Sequence, residues 1–229
     1  MKDFSPFEHA IGITFKNKAV LQQAFTHRSY INENPKSGLE HNERLEFLGD
    51  AVLELIVTDH LFRTYSNHNE GDLTAYRSAL VNAVVAGDVA QELNMNEYLL
   101  LSKGEQKDTG RARQTILANA YESFIGALYL DQGYDVCEVF IKKTLLPKLD
   151  EIIKLKAWKD PKSRVQEEAQ ERLGLTPAYE VVGEVGPDHD KWFTIGIFFG
   201  EKKIAEGKGR SKQEAQQVAA QAALEAKGW

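Results

Sequence analysis

Three acidic residues in the stretch 41–59, HNERLEFLGDAVLELIVTD, share one side of a predicted helix: Glu43, Glu46 and Asp50. At roughly 100° per residue, offsets of 0, 3 and 7 put them within about 60° of one another. Leu45, Leu48, Val52, Leu55 and Ile56 fall on the opposite side, so water and core are expected to be cleanly separated. Like charges at helical spacing destabilise a helix by roughly 0.2–0.5 kcal/mol per pair. A hard divalent cation, which takes oxygen ligands, would offset that cost. A solvated acidic helix face is the competing explanation, and for one helix taken alone it is the commoner one.

A second acidic element, ILANAYESFIGALYLD, places Asn119 and Glu122 at i, i+3 on one helix face. If this helix packs against the first, Glu46, Asp50, Asn119 and Glu122 converge on one cation from two walls. Glu70 stands just before a helix start, where an acid can also do no more than complement the helix dipole. Cys137 lies on an apolar helix stripe and is expected to be packed, which leaves no plausible protein nucleophile. Phe47, at an offset of 4 from Glu43, points near the acids and away from the apolar stripe. An aromatic there is half-buried by a neighbouring helix or reaches into another subunit.

The elements that must position these groups fall into two parts. Residues 1–155 read as helix after helix, an all-α domain. The helix from Glu43 runs to about residue 65, and EGDLTAYRSALVNAVVAGDVAQELN continues with helical periodicity in Leu73, Tyr76, Leu80, Val84 and Val89. THRSYINENPKSG reads as a polar loop and SKGEQKDTGRAR as a mobile stretch. Pro147 divides or kinks the last helix. After a linker at 156–160 the pattern changes. PKSRVQEEAQERLG reads as a helix closed by Gly174. PAYEVVGEVG, KWFTIGIFFG and KKIAEGKG read as strands, and Ser211 N-caps a final helix with Glu214 at the capping-box position. Residues 161–229 thus form a small α+β (α-β-β-β-α) domain, with two helices on one face of an antiparallel sheet.

Charge follows the same division. The chain of 229 residues carries a net charge of −6, yet residues 156–229 hold 12 basic and 12 acidic groups, so all the excess acid lies in the first part. That suits cation binding there and leaves the second part free to present a local basic face. One cysteine excludes an intrachain disulfide and fits a reducing compartment. No apolar run is long enough for a membrane span, and the N-terminus has no secretory pattern, so a cytoplasmic protein without membrane contact is expected.

Together NERLEFLGDA, EGDLTAYRSALV and ILANAYESFIGALYLD resemble bacterial ribonuclease III, and the strands with GKGRSKQEAQQVAAQAAL look like its double-stranded-RNA-binding domain. The resemblance spans essentially the whole chain. It implies a magnesium-dependent endonuclease, with manganese as a plausible substitute, that cuts double-stranded RNA to 5′-phosphate and 3′-hydroxyl ends. It also implies processing of ribosomal RNA precursors and structured messages. Glu46, Asp50 and Glu122 match the family's metal ligands, and Glu43 and Glu70 match acids of the same catalytic valley. Asn119 stands where the family most often has Asp; its amide oxygen can ligate but brings no charge. Phe47 matches a residue that enters a hydrophobic pocket of the partner in a homodimer, so that each subunit cuts one strand and the break is staggered. His27 and Ser29 match a segment beside the RNA, although His27 taken alone is more often a structural hydrogen-bonding residue. Gln166 and His189 match minor-groove contacts. Lys208, Arg210, Ser211 and Lys212 surround a helix start suited to phosphate, while Gln213 replaces a second lysine. Arg111 and Arg113 either meet the RNA backbone or form a surface charge run. The alternative reading is a double-stranded-RNA-binding regulator whose nuclease centre is weakened by Asn119.

Overall fold

The computed structural model describes residues 2–154, 158, 160–187 and 191–229. The chain forms two compact units, residues 1–158 and 159–229. The linker expected at 156–160 lies largely outside the described residues.

Helices make up the first unit: α1 (Ser5–Ile11), α2 (Lys18–Ala24), α3 (Arg28–Glu33), α4 (Glu43–Thr64), α5 (Glu70–Leu80), α6 (Ala83–Glu92), α7 (Arg111–Gln132), α8 (Tyr134–Thr144) and α9 (Pro147–Lys154). At 22 residues each, α4 and α7 are the longest, and they pack against one another. The core gathers around α7, where Leu117, Ala120, Tyr121, Phe124, Ile125, Ala127 and Leu128 are all buried. Phe7, Phe15, Phe25 and Phe140 surround Phe124 with ring centroids 5.1–6.4 Å away, the range in which aromatic pairs attract.

Several expectations need correction. THRSYINENPKSG is not all loop, because Arg28–Glu33 forms α3 with His27 as its N-cap. The segment 70–94 is two helices: Asn82 breaks it, its side chain accepting from the N–H groups of Val84 (3.0 Å) and Val85 (3.1 Å) to start α6. The stretch 102–113 is held by named bonds: Arg113 donates to the carbonyls of Glu105 (2.7 Å) and Asp108 (3.1 Å). Its guanidinium therefore closes its own loop. Nor is α4 two-sided, since Leu55 is 57 % exposed. Pro147 does divide the last helical segment, with α8 before it and α9 after it.

In the second unit α10 (Pro161–Leu173) precedes β1 (Ala178–Val185), β2 (Trp192–Phe199), β3 (Lys202–Gly209) and α11 (Lys212–Lys227). The sheet is antiparallel in the order β1-β2-β3. Ile195, Ile197 and Phe199 alternate along β2 and pack with Val165 and Ala169 of α10 and with Ala215, Ala219, Ala220 and Ala223 of α11. Four alanines on one helix face permit a close approach: a Cβ on Gly207 or Gly209 of β3 would overlap the α11 backbone or stem at Ala219 and Ala215.

Candidate active site

The acids meet because two helices cross without side chains between them. A Cβ on Gly49 of α4 would overlap the Glu122 carbonyl of α7, and one on Gly126 would overlap the Leu45 carbonyl. Only glycine allows backbones that close. Glu46 and Asp50 flank Gly49 on α4, and Asn119 and Glu122 lie one to two turns before Gly126 on α7. The crossing therefore gathers the four groups along its edge.

Electrostatics reports the proximity. Burial and then the charges of Asp50 and Glu46 push the Glu122 carboxyl up to about 7. The Glu46 carboxyl is raised by burial and then by Glu43 and Asp50, while a hydrogen bond from the Asn119 side chain pulls it the other way. Glu43 is exposed at the rim beside the Arg28 guanidinium (3.3 Å) and His41 Nδ1 (3.7 Å). All four convergent groups offer oxygen, the donor that a hard divalent cation takes, and a cation would relieve the repulsion acting on Glu46 and Glu122. The donor set fits. Among the described residues no group of three His, Cys, Asp or Glu side chains is placed to hold a metal ion by itself. The oxygen donors therefore line an open valley and do not form a closed cage.

Glu70 does not join them within the chain. It starts α5, beyond the far end of α4, accepts from Thr74 Oγ1 at 3.1 Å, and is not among the charges acting on Glu46 or Glu122. Since α4 spans about 33 Å, a residue that follows its C-terminus stands far from a cluster near its start. Glu70 instead lines a 430 Å³ cleft with Thr58, Phe62 and Arg77.

His27 and Ser29 are occupied locally. His27 Nδ1 lies 2.8 Å from Ser29 Oγ and accepts from the Ser29 N–H at 3.3 Å, and Ser29 Oγ accepts from the Ser102 N–H at 3.1 Å. Burial holds the imidazole below its ordinary range, with Glu105 and Glu43 opposing. Their first role is to build the turn before α3. Phe47 is 83 % exposed, and Leu55 and Phe62 (70 %) continue an apolar strip down the same helix. Beside Phe47 opens a cleft of 570 Å³ lined by His41, Arg44, Leu48 and Leu130 among others. Cys137 is buried, its thiol pushed up to about 12 by desolvation, and is inert as a nucleophile.

In the second unit Lys208, Arg210, Ser211 and Lys212 are exposed together at the start of α11. Ser211 Oγ accepts from the Glu214 N–H at 3.0 Å, and Glu214 accepts from the Arg210 N–H at 2.8 Å. Arg210 lies over the Trp192 ring (5.5 Å) and Lys212 over Phe193 (5.7 Å), which orients both cations. Gln166 is exposed on α10; His189 lies outside the described residues. The sequence reading passed over Gly49, Gly126, Gly207 and Gly209. The available signal was glycine inside otherwise strong helical or strand patterns, which costs stability unless packing demands it.

Comparison with known proteins agrees with this division. Residues 17–149 match the ribonuclease-III-like family and 161–227 the double-stranded RNA binding motif. The chain is 46 % identical over 218 residues to a protein named ribonuclease 3 from Carboxydothermus hydrogenoformans, covering 95 % of this chain and 93 % of that one. It is also 46 % identical to one from Geobacillus kaustophilus, covering 97 % and 90 %. The nuclease domain of ribonuclease III from Campylobacter jejuni superposes with a TM-score of 0.57 at 36 % identity, covering 62 % of this chain and 96 % of that one; its description refers to a region involved in dimer formation. Relatives of this kind are endoribonucleases, generally metal-dependent, and the C-terminal unit makes double-stranded RNA the partner. The chain belongs to the ribonuclease III family.

Proposed function

We propose that this protein is a magnesium-dependent endonuclease that cuts both strands of duplex RNA to 5′-phosphate and 3′-hydroxyl ends, with manganese able to replace magnesium. The observation that carries the reading is the convergence of Glu46, Asp50, Asn119 and Glu122 at the Gly49–Gly126 crossing. Those four would hold the ion. When bound, magnesium supplies an activated water and neutralises charge on the phosphate and leaving oxygens. The chain supplies the rest. Asp50 and Glu122 present charge on facing walls, and the Asn119 amide steadies Glu46 while adding no fourth negative charge. Lys208, Arg210, Ser211 and Lys212 engage phosphates, and Gln166 and His189 the minor groove, where duplex RNA displays its 2′-hydroxyls. His27 and Ser29 shape the turn that faces the duplex beside Glu43.

The working unit is a homodimer. Phe47, Leu55 and Phe62 form an apolar strip along α4 that a two-fold copy covers. Antiparallel pairing of two α4 helices would carry the partner's Glu70 toward the Glu43–Asp50 end of this chain, completing the valley and giving one cut per strand with a stagger. Ribosomal RNA precursors and structured messages in the cytoplasm are the substrates. Among the described residues no helix is long and apolar enough to cross a membrane. Incubating the chain with a long RNA duplex tests the proposal: cleavage with magnesium and none with EDTA is expected. Binding without cleavage under both conditions would support the regulator reading, which relatives named ribonuclease 3 do not favour.

A further inference from the structure

The spacing of the two acid walls needs more than one fixed point. At the Gly49–Gly126 crossing the backbones touch, and Val52, Leu53, Ile56, Val57 and Leu61 bury α4 beyond it, whereas Glu46 stands on the first turn, before the crossing. A second point lies at Asn42, the N-cap of α4, which is 3 % exposed. An N-cap asparagine ordinarily turns its side chain back to the amides of its own helix. Here it makes no such bond. Its Nδ2 instead donates to the Ala24 carbonyl at 3.3 Å, and its backbone N–H donates to the Thr26 carbonyl at 2.9 Å. The Asn42 carbonyl accepts from the N–H groups of Leu45 and Glu46, each at 2.9 Å. The hydroxyl of Ser123 on α7 donates to the Asn119 carbonyl at 2.6 Å, and its Oγ lies 3.4 Å from the Asn42 carbonyl. One buried residue thus touches the end of α2, the first turn of α4 and the middle of α7.

We infer that Asn42 is a positioning residue for the reaction: it pins the first turn of α4, and with it Glu46, against the Ala24–His27 turn, fixing the angle at which the two acid walls face each other. Capping does not account for the side chain, because its amide serves α2 rather than α4. Nor does it touch substrate; it acts through Glu46, whose amide it holds. Displacements of about 1 Å among catalytic groups cost up to 100-fold in rate, so losing one of several ties is expected to cost about tenfold.

The inference rests on the nuclease reading, and one assay separates the two. Full-length wild type, Asn42→Ala and Asn42→Ser are compared on a long RNA duplex with magnesium at a temperature well below each melting point. In the serine variant a polar group remains but cannot reach the Ala24 carbonyl. Expected is a kcat about tenfold lower in both variants, with KM within twofold of wild type and unchanged far-UV circular dichroism. Folded variants with wild-type kcat, a KM rise at unchanged kcat, or two variants that do not fold would each overturn the positioning role. A wild-type chain that leaves the duplex intact overturns the nuclease reading, and this inference with it.

Discussion

Both units use glycine to bring a helix onto a neighbouring backbone, yet the groups they display behave oppositely. At Gly49 and Gly126 the contact gathers like charges into a half-buried valley, and Glu46 and Glu122 are raised in consequence. At Gly207 and Gly209 it seats α11 on the sheet and leaves Lys208, Arg210 and Lys212 exposed at the helix start, over aromatic rings or in water. A site for chemistry tolerates unfavourable electrostatics that a bound cation relieves. A site for a polyanion needs only accessible charge.

The largest effect should come from removing charge from the valley. Glu122→Gln keeps the shape and removes a charge that the proposed mechanism gives to the metal; metal-assisted hydrolysis rests on several kcal/mol of charge stabilisation, so cleavage should fall by roughly 10³-fold. Duplex binding by the second unit should stay within twofold, as a gel-shift titration in calcium would record. Equal loss of both would contradict the division of labour.

Next come the glycines themselves. Gly126→Ala forces a methyl into the Leu45 carbonyl, and overpacking of this kind costs about 3 kcal/mol, or roughly 10 °C in the melting temperature of a unit this size. Gly207→Ala should do the same to the second unit alone, abolishing duplex binding while the transition of the first unit stays put. Differential scanning calorimetry resolves the two. A single shared transition that moves with either variant would refute their independence.

These two contacts also show where sequence reading stopped. Residue type and helical spacing were enough to select Glu46, Asp50, Asn119 and Glu122, because one face of a helix follows from arithmetic. Their closeness depends on Gly49 meeting the Glu122 carbonyl, and a glycine carries no sign of which backbone will approach it. For the same reason the clean two-sided α4 failed: periodicity separates polar from apolar but does not say which apolar face lacks a neighbour, so Leu55 was assigned to the core. Asn82 was overlooked as a helix start because its neighbours are also helix-compatible and its side-chain cap decides the break, whereas α3 was read as loop because it is short and polar and Pro35 and Gly38 follow it closely, its start being set by the His27 cap. Strands β1 to β3 were legible because Gly, Pro and Asp punctuate three short runs of strand character, although register shifts at Val181–Gly183 and Ile197–Phe198 interrupt any strict alternation.

A smaller effect reads the electrostatic cost directly. Glu122 has a carboxyl raised to about 7 in the folded chain and an ordinary value, near 4.3, when unfolded. Between these values the native state binds more protons than the unfolded state, so on this group's account stability falls as pH rises. In EDTA the first unit should melt a few degrees higher at pH 5.5 than at pH 8, and Glu122→Gln should shrink that difference. Magnesium binds the charged form, so its affinity should weaken as pH drops through about 7, which isothermal titration at several pH values would follow. A pH-independent affinity would show that Glu122 is not a ligand.

The smallest change addresses the second unit, where no charge is crowded. Gln213 sits exposed beside Lys212 at the start of α11, where the helix N-terminus favours anions. Gln213→Lys adds one phosphate contact, which releases about one more counterion. The slope of log affinity against log salt should therefore steepen by roughly 0.9 for a duplex, with binding tighter at low salt and nearly unchanged at high salt. Because the added charge stands in water, it should leave the melting temperature and kcat untouched, in contrast to every substitution in the valley. A slope that does not move would place Gln213 off the RNA and confine the phosphate contacts to Lys208, Arg210 and Lys212.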